Sequence, residues 1–132
     1  MGRIEVLLDV QNGLDPTKRI ACTAVVDTGA YCLTLPMAWR ARLGAFPHVE
    51  DVDLELADRR VVRGELCSPV RLEVPGLGIG HGLVLFTEME APDGRYEPLL
   101  GYLALEELRV AVDLVQHRLV KLPYLDLKTV AA

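Results

Sequence analysis

The run Ile20-Ala21-Cys22-Thr23-Ala24-Val25-Val26 ends on Asp27-Thr28-Gly29-Ala30, and this junction constrains the chain more than any other stretch. Ala, Val and Ile without a helical period predict a buried strand. A strand that leaves a core and turns at once on a carboxylate, a hydroxyl and a glycine holds the Asp27 carboxylate in a fixed position. Gly29 permits backbone angles and close approaches that a side chain resists. The Thr28 hydroxyl can bond neighbouring backbone and stiffen the turn. The same tripeptide also serves as a plain Asx-type turn after a core strand. Its context decides between chemistry and turn-making.

The surrounding chain predicts a small, mostly β protein. Ile4, Val6, Leu8 and Val10 alternate with Arg3, Glu5 and Asp9, as in a half-buried strand over residues 3–10. Gln11-Asn12-Gly13 and Asp15-Pro16 turn that strand into the one leading to Asp27. Tyr31 to Leu35 is a further short strand, and Pro36 to Leu43, ending at Gly44, predicts two helical turns. Alternation over Val49–Leu56 and again over Val61–Leu66 makes a hairpin whose tip, Ala57-Asp58-Arg59-Arg60, projects into solvent. Pro69 to Val74 alternates again. Gly78-Ile79-Gly80-His81-Gly82 has the look of a phosphate loop, but no helical pattern follows it. It predicts close backbone approaches at the start of a strand over Leu83–Thr87.

Glu90 to Glu97 is a polar loop, and Tyr102 to Leu108 is a short amphipathic helix. Val110–Leu114 and Arg118–Leu122 form a last hairpin around Gln116-His117, and Tyr124–Val130 adds one more strand. Many short strands with one or two short helices predict a small closed β-barrel or sandwich. A length of 132 residues suits one domain over 1–132. With two Phe and one Trp the core must be aliphatic.

Composition narrows the partners. A net charge of −5 with interspersed signs provides no basic stripe for nucleic acid. The apolar runs fall short of the roughly 20 residues needed to span a membrane. The start of the sequence carries no secretory apolar region. An odd count of three cysteines, Cys22, Cys32 and Cys67, without CxxC spacing argues for a reducing cytoplasm and against a disulfide scaffold or zinc site. His48, His81 and His117 are scattered through loops, so neither a metal nor another cofactor is expected. Trp39 on the short helix is expected to be a packing anchor.

Three features follow in order: Asp27-Thr28-Gly29-Ala30 after an apolar strand, an exposed hairpin about thirty residues on, and Leu99-Leu100-Gly101 before a short helix. This order resembles the retropepsin-like aspartic proteases, the single-domain relatives of pepsin. It is most similar to their bacterial members, where an apolar pair plus Gly opens a helix that is followed by a strand carrying an Asp, here Val112-Asp113-Leu114. The likeness covers Ile4 to about Leu122, and Asp-Thr-Gly-Ala is its specific part.

The resemblance implies a fold of the closed acid-protease barrel type and an aspartic endopeptidase. Asp27 would be the catalytic carboxylate, and Thr28 would bond across to its symmetry mate. Gly29 and Ala30 would line the substrate groove. Ala57, Asp58, Arg59 and Arg60 would form a flap over bound peptide, and Leu100 and Gly101 would pack behind the active-site loop. Many relatives carry Gly at the flap tip. Arg59 and Arg60 stand there instead, where they either favour acidic substrates or only solubilise the hairpin. Retroviral members often carry a polar residue after their second Gly, where Tyr102 stands here.

Peptide hydrolysis of this kind needs two carboxylates sharing a proton, one acting as base and one as acid. The chain carries a single Asp-Thr-Gly, so the second aspartate must come from a second chain in a two-fold dimer. Strands at residues 3–10 and 124–130 are the expected interface, since unpaired edges invite pairing. The alternative is a catalytically silent dimeric module that binds an extended peptide by strand addition.

Overall fold

The computed structural model describes residues 3–123. The strand expected over Tyr124–Val130 lies outside the described residues.

Strand β1, Glu5–Asn12, and strand β2, Asp15–Val26, form an antiparallel hairpin in which Leu8 faces Cys22 and Val10 faces Ile20. The alternation read from the sequence is the alternation of burial: Ile4, Leu8 and Val10 are buried, while Arg3, Glu5 and Leu7 are exposed. The turn is fixed by Asn12, which is buried at 3 % exposure. Its Nδ2 donates to the carbonyls of Leu43 (2.8 Å) and Ala45 (2.7 Å), and its Oδ1 accepts from Leu14 N at 2.9 Å. A buried amide is tolerated when its donors and acceptor are matched in this way.

Strand β3 is Leu33–Pro36, all four residues buried. The expected two helical turns after it are a 3₁₀ segment, Met37–Leu43. No side chain caps its start, and Gly44 ends it at φ 72°. The segment is pinned through side chains. The Arg40 guanidinium donates to Gly44 O (2.7 Å) and Glu65 Oε1 (3.2 Å) and lies over the rings of Phe46 and Phe86. Trp39 is half-buried and meets Tyr96 edge-to-face at 5.8 Å, a packing role.

Strand β4, His48–Glu55, pairs antiparallel with β5, Val61–Val74. The sequence divided β5 into two strands at Pro69, and the structure runs them together. Pro69 has no N–H to give to the ladder, and the register of β5 against β6, Gly78–Thr87, shifts between Cys67 and Val70 as a bulge. Strand β6 begins at Gly78, five residues before the expected Leu83. Residues 78–82 pair with β5, Val74 with Gly78 and Leu72 with Gly80, and the close approach expected there is present: a Cβ on Gly80 would lie 2.9–3.1 Å from atoms of Glu107. Helix α1, Tyr102–Leu108, packs directly on that bare backbone.

Within the loop 88–98 one 3₁₀ turn, Pro92–Gly94, interrupts an otherwise irregular path, and strand β7, Leu99–Leu100, follows it. After α1, strands β8, Val110–Asp113, and β9, Arg118–Lys121, pair only with each other among the described residues.

The main sheet runs β1-β2-β7-β3-β6-β5-β4, and β1 also pairs with β5 through Asp9–Asn12. That second pairing closes the strands from β1 to β5 into a ring and, among the described residues, leaves β4 as an edge. The ring encloses an aliphatic core of Val10, Ile20, Leu33, Leu35, Leu72, Val84, Leu100 and Leu108 around Phe86. Each such side chain contributes about 1.5–3 kcal/mol by leaving water. Among the described residues no helix is long and apolar enough to cross a membrane.

Candidate active site

The Asp27 turn hangs between two neighbours of the central sheet. β2 and β7 run parallel, pairing Val25 with Leu99 and Val26 with Leu100. The ladder continues one residue beyond β2, where Asp27 N donates to Leu100 O at 3.0 Å. The chain then reverses through a β-turn closed by Ala30 N donating to Asp27 O at 3.1 Å, with Thr28 and Gly29 at its corners. Gly29 N donates to Asp27 Oδ1 at 2.9 Å, which fixes the side chain as well as the backbone. A Cβ on Gly29 would sit 3.3 Å from that same Oδ1. Glycine here keeps the carboxylate uncrowded.

From below, the turn is held by the start of α1. No side chain caps this helix. The first N–H groups of a helix have no partner inside it, and here Tyr102 N donates to Ala30 O (2.9 Å) and Leu103 N to Tyr31 O (3.0 Å). This contact demands a glycine at 101. A Cβ there would lie 2.5 Å from both N and O of Cys32 and 2.6 Å from Ala30 O. Leu100, fully buried, and Gly101 thus sit behind the Asp27 loop, where the sequence put them.

Asp27 is half-buried and Thr28 and Gly29 are exposed. Among the described residues Oδ2 accepts no hydrogen bond and no cation pairs with the carboxylate. Arg3, which lines the cleft, is turned to Glu5 (3.1 Å) and Glu97 (2.6 Å). The cleft measures about 440 Å³ and is lined by Arg3, Ile4, Val25, Val26, Asp27, Thr28, Val112 and Leu114. A free carboxylate oxygen over an apolar floor can bind a water or share a proton with a second acid. Alone it cannot serve as acid and base in one step.

Two of these lining residues, Val112 and Leu114, had no assigned role in the sequence, although Val112-Asp113-Leu114 had been matched as a strand. Their alternation with Asp113 was the available signal. In the other direction, the structure does not bring the hairpin tip into this cleft. Ala57, Asp58, Arg59 and Arg60 are all exposed at the far end of β4 and β5. Leu56 N donates to Arg60 O and Arg59 N to Leu56 O, both at 2.8 Å, and Arg59 takes φ 67°. Arg60 Nε bonds Asp58 Oδ2 at 2.6 Å, so its charge is paired within the tip. A separate groove of about 570 Å³ lies under the hairpin, between Leu54, Leu56, Arg60 and Val62 on one side and Thr87, Glu88, Met89 and Glu90 on the other.

Burial pushes the thiols of Cys22 and Cys32, which flank the turn in sequence, up to about 11. They stay protonated at neutral pH and are poor nucleophiles. All three cysteines are free. Among the described residues no group of three His, Cys, Asp or Glu side chains could hold a metal ion.

No protein-family model and no curated protein matches the chain. Among solved structures it is similar to the EIAV protease complexed with the inhibitor HBY-793, with a TM-score of 0.58 and 18 % identity over 81 % of this chain and 88 % of that one. At that identity the likeness is one of fold.

Proposed function

We propose that the chain is an aspartic endopeptidase that acts as a homodimer, with Asp27 of each copy forming the catalytic pair. The observation that carries this is the Asp27 turn. It is a carboxylate fixed by Gly29 N at 2.9 Å, backed by Leu100 and Gly101, with its second oxygen free and facing a cleft. The likeness in fold to a viral protease supports it, as does the ring of strand pairings, which we take as a small closed β-barrel forming one domain over 1–132.

Two carboxylates about 3 Å apart resist ionising together, so the working form of the pair shares one proton. The ionised Asp27 takes a proton from water, whose oxygen attacks the peptide carbonyl carbon. The protonated Asp27 of the second copy gives its proton to the carbonyl oxygen. The tetrahedral diol then collapses, the C–N bond breaks, and the amine leaves with a proton returned from the pair. Thr28 braces the two turns, while Gly29 and Ala30 border an extended peptide. The hairpin tip at Ala57, Asp58, Arg59 and Arg60 closes over that peptide as a flap, with Arg59 free to meet an acidic side chain. The three unbridged cysteines support a cytoplasmic location.

Incubation with a mixed peptide library from acidic to neutral pH tests this. Cleavage is expected from the unaltered chain and none from Asp27→Asn. A second assignment, a silent peptide-binding module, draws support from the outer edge of β4, which pairs with no strand among the described residues. It requires peptide binding without cleavage that is indifferent to Asp27→Asn.

A further inference from the structure

Helix α1 lies on bare backbone at Gly80, and just beyond it helix and sheet part around a pocket of about 270 Å³. Leu103, Ala104 and Glu107, on one face of α1, border it from one side. Leu72 of β5 and Gly82 and Leu83 of β6 border it from the other. The pocket shares no lining residue with the Asp27 cleft or with the groove under the β4–β5 hairpin.

Packing does not require this space. At Gly80 a side chain would collide with Glu107, so glycine is forced there. At Gly82 it is not. A Cβ there would meet only Glu107 Cγ, at the ordinary contact distance of 3.7 Å, and its φ lies outside the left-handed region. A larger apolar side chain at 82 would cover the neighbouring leucines and strengthen the strand. Glycine keeps the pocket open at a cost in stability.

The lining sets the chemistry of an occupant. Leu72, Leu83 and Leu103 give aliphatic walls, against which water finds few of the polar partners it needs. One carboxylate, Glu107, stands at the exposed rim. Among the described residues that carboxylate takes no hydrogen bond and no ion pair, and Arg109 Nη1 donates to the Glu107 carbonyl (3.3 Å) instead. An apolar cavity of about 150 Å³ takes a benzene ring. The space here suits a body of roughly ten heavy atoms with one end at Glu107.

We propose that this pocket is a second binding site, for a compact apolar primary amine whose ring lies against the three leucines and whose ammonium meets Glu107. The site does not depend on the peptidase assignment. Its occupant touches the first turn of α1, where the Tyr102 and Leu103 N–H groups hold Ala30 O and Tyr31 O. Binding therefore bears on the Asp27 turn from behind.

Titration of the full chain with cyclohexylmethylamine at neutral pH, followed by amide NMR shifts, tests it. Cyclohexylmethanol supplies the same shape without charge, and cyclohexanecarboxylate the opposite charge. Saturable shifts centred on Gly82, Leu83 and Ala104 are expected, with a Kd on the order of 0.1–1 mM. The alcohol should bind about threefold to fivefold more weakly and the carboxylate more weakly still. Glu107→Gln should bring the amine down to the affinity of the alcohol. Glu106→Gln, on the same helix but outside the pocket, should leave it unchanged. Gly82→Val places an isopropyl group in the space and should abolish binding of both. Equal affinity of the amine for the unaltered and Glu107→Gln chains would overturn the ligand class, and that comparison does not rely on Gly82→Val folding. Shifts centred elsewhere, or undiminished binding to folded Gly82→Val, would overturn the site.

Discussion

Gly101→Ala tests how the fold holds its candidate catalytic turn. The added methyl would lie 2.5 Å from Cys32 N and O and 2.6 Å from Ala30 O, all backbone atoms that cannot rotate away. Either β7 and α1 retreat or the Asp27 loop does. Overpacking of this sort costs about 1–3 kcal/mol. The retreat also stretches the bonds from Tyr102 N to Ala30 O and from Leu103 N to Tyr31 O. Each contributes about 1 kcal/mol when well made. The sum is about 3–5 kcal/mol. For a domain of this size that lowers Tm by roughly 10–20 °C. Thermal unfolding followed by circular dichroism measures it, with Gly76→Ala as the comparison. A Cβ at Gly76 meets nothing within 4 Å and pays only for φ +81°, about 1–2 kcal/mol. Peptidase activity should fall further than stability does, because the displaced atoms carry Asp27. A Gly101→Ala protein no less stable than Gly76→Ala would refute the close-packing account.

Two other outcomes follow from buried polar groups. Asn12→Ala removes the donors to Leu43 O and Ala45 O in a site that is 3 % exposed. It should destabilise by about 2–4 kcal/mol, read as a lower urea midpoint at constant m-value; a shift under about 1 kcal/mol would mean water replaces the amide. Burial raises the Cys22 and Cys32 thiols from an ordinary 9.0 to about 11. A raised folded-state pKa gives stability that is complete below about pH 9 and lost as pH climbs toward 11. Tm should therefore drop across that window, and Cys22→Ala should make the drop shallower. A drop of equal depth in Cys22→Ala would remove that thiol from the account.

Much of this architecture was legible because period and punctuation agree. The alternation in β1 and the amphipathic pattern of Tyr102–Leu108 match their observed elements closely, whereas β2 starts at Asp15, inside what the sequence assigned to the turn. The Asp27 turn was readable from its own residues, while its Leu100-Gly101 backing came only from the resemblance to the retropepsin-like proteases. Long-range consequences were not. Nothing local in Gly78-Ile79-Gly80 says that α1 will lie on it, so the strand was begun too late. Pro69 looks like a strand boundary until β6 supplies a partner that tolerates a bulge. The segment Met37–Leu43 has helical composition yet is 3₁₀, while α1, equally without a side-chain cap, is α-helical, so nothing local separates the two. The role of Val112 and Leu114 depends on where the last hairpin folds back, a tertiary fact that no pattern within it contains.

The central claim is that two copies of Asp27 make one site, and mixing tests it directly. Unaltered and Asp27→Asn chains are combined at constant total concentration and allowed to exchange, and peptide hydrolysis is measured against composition. Asparagine keeps the Oδ1 that accepts from Gly29 N, so the variant should still fold and dimerise. If both aspartates are needed, activity follows the square of the unaltered fraction and falls to roughly a quarter in an equal mixture. Activity in direct proportion to that fraction, about half in the equal mixture, would show that a single chain carries the site and would contradict the account.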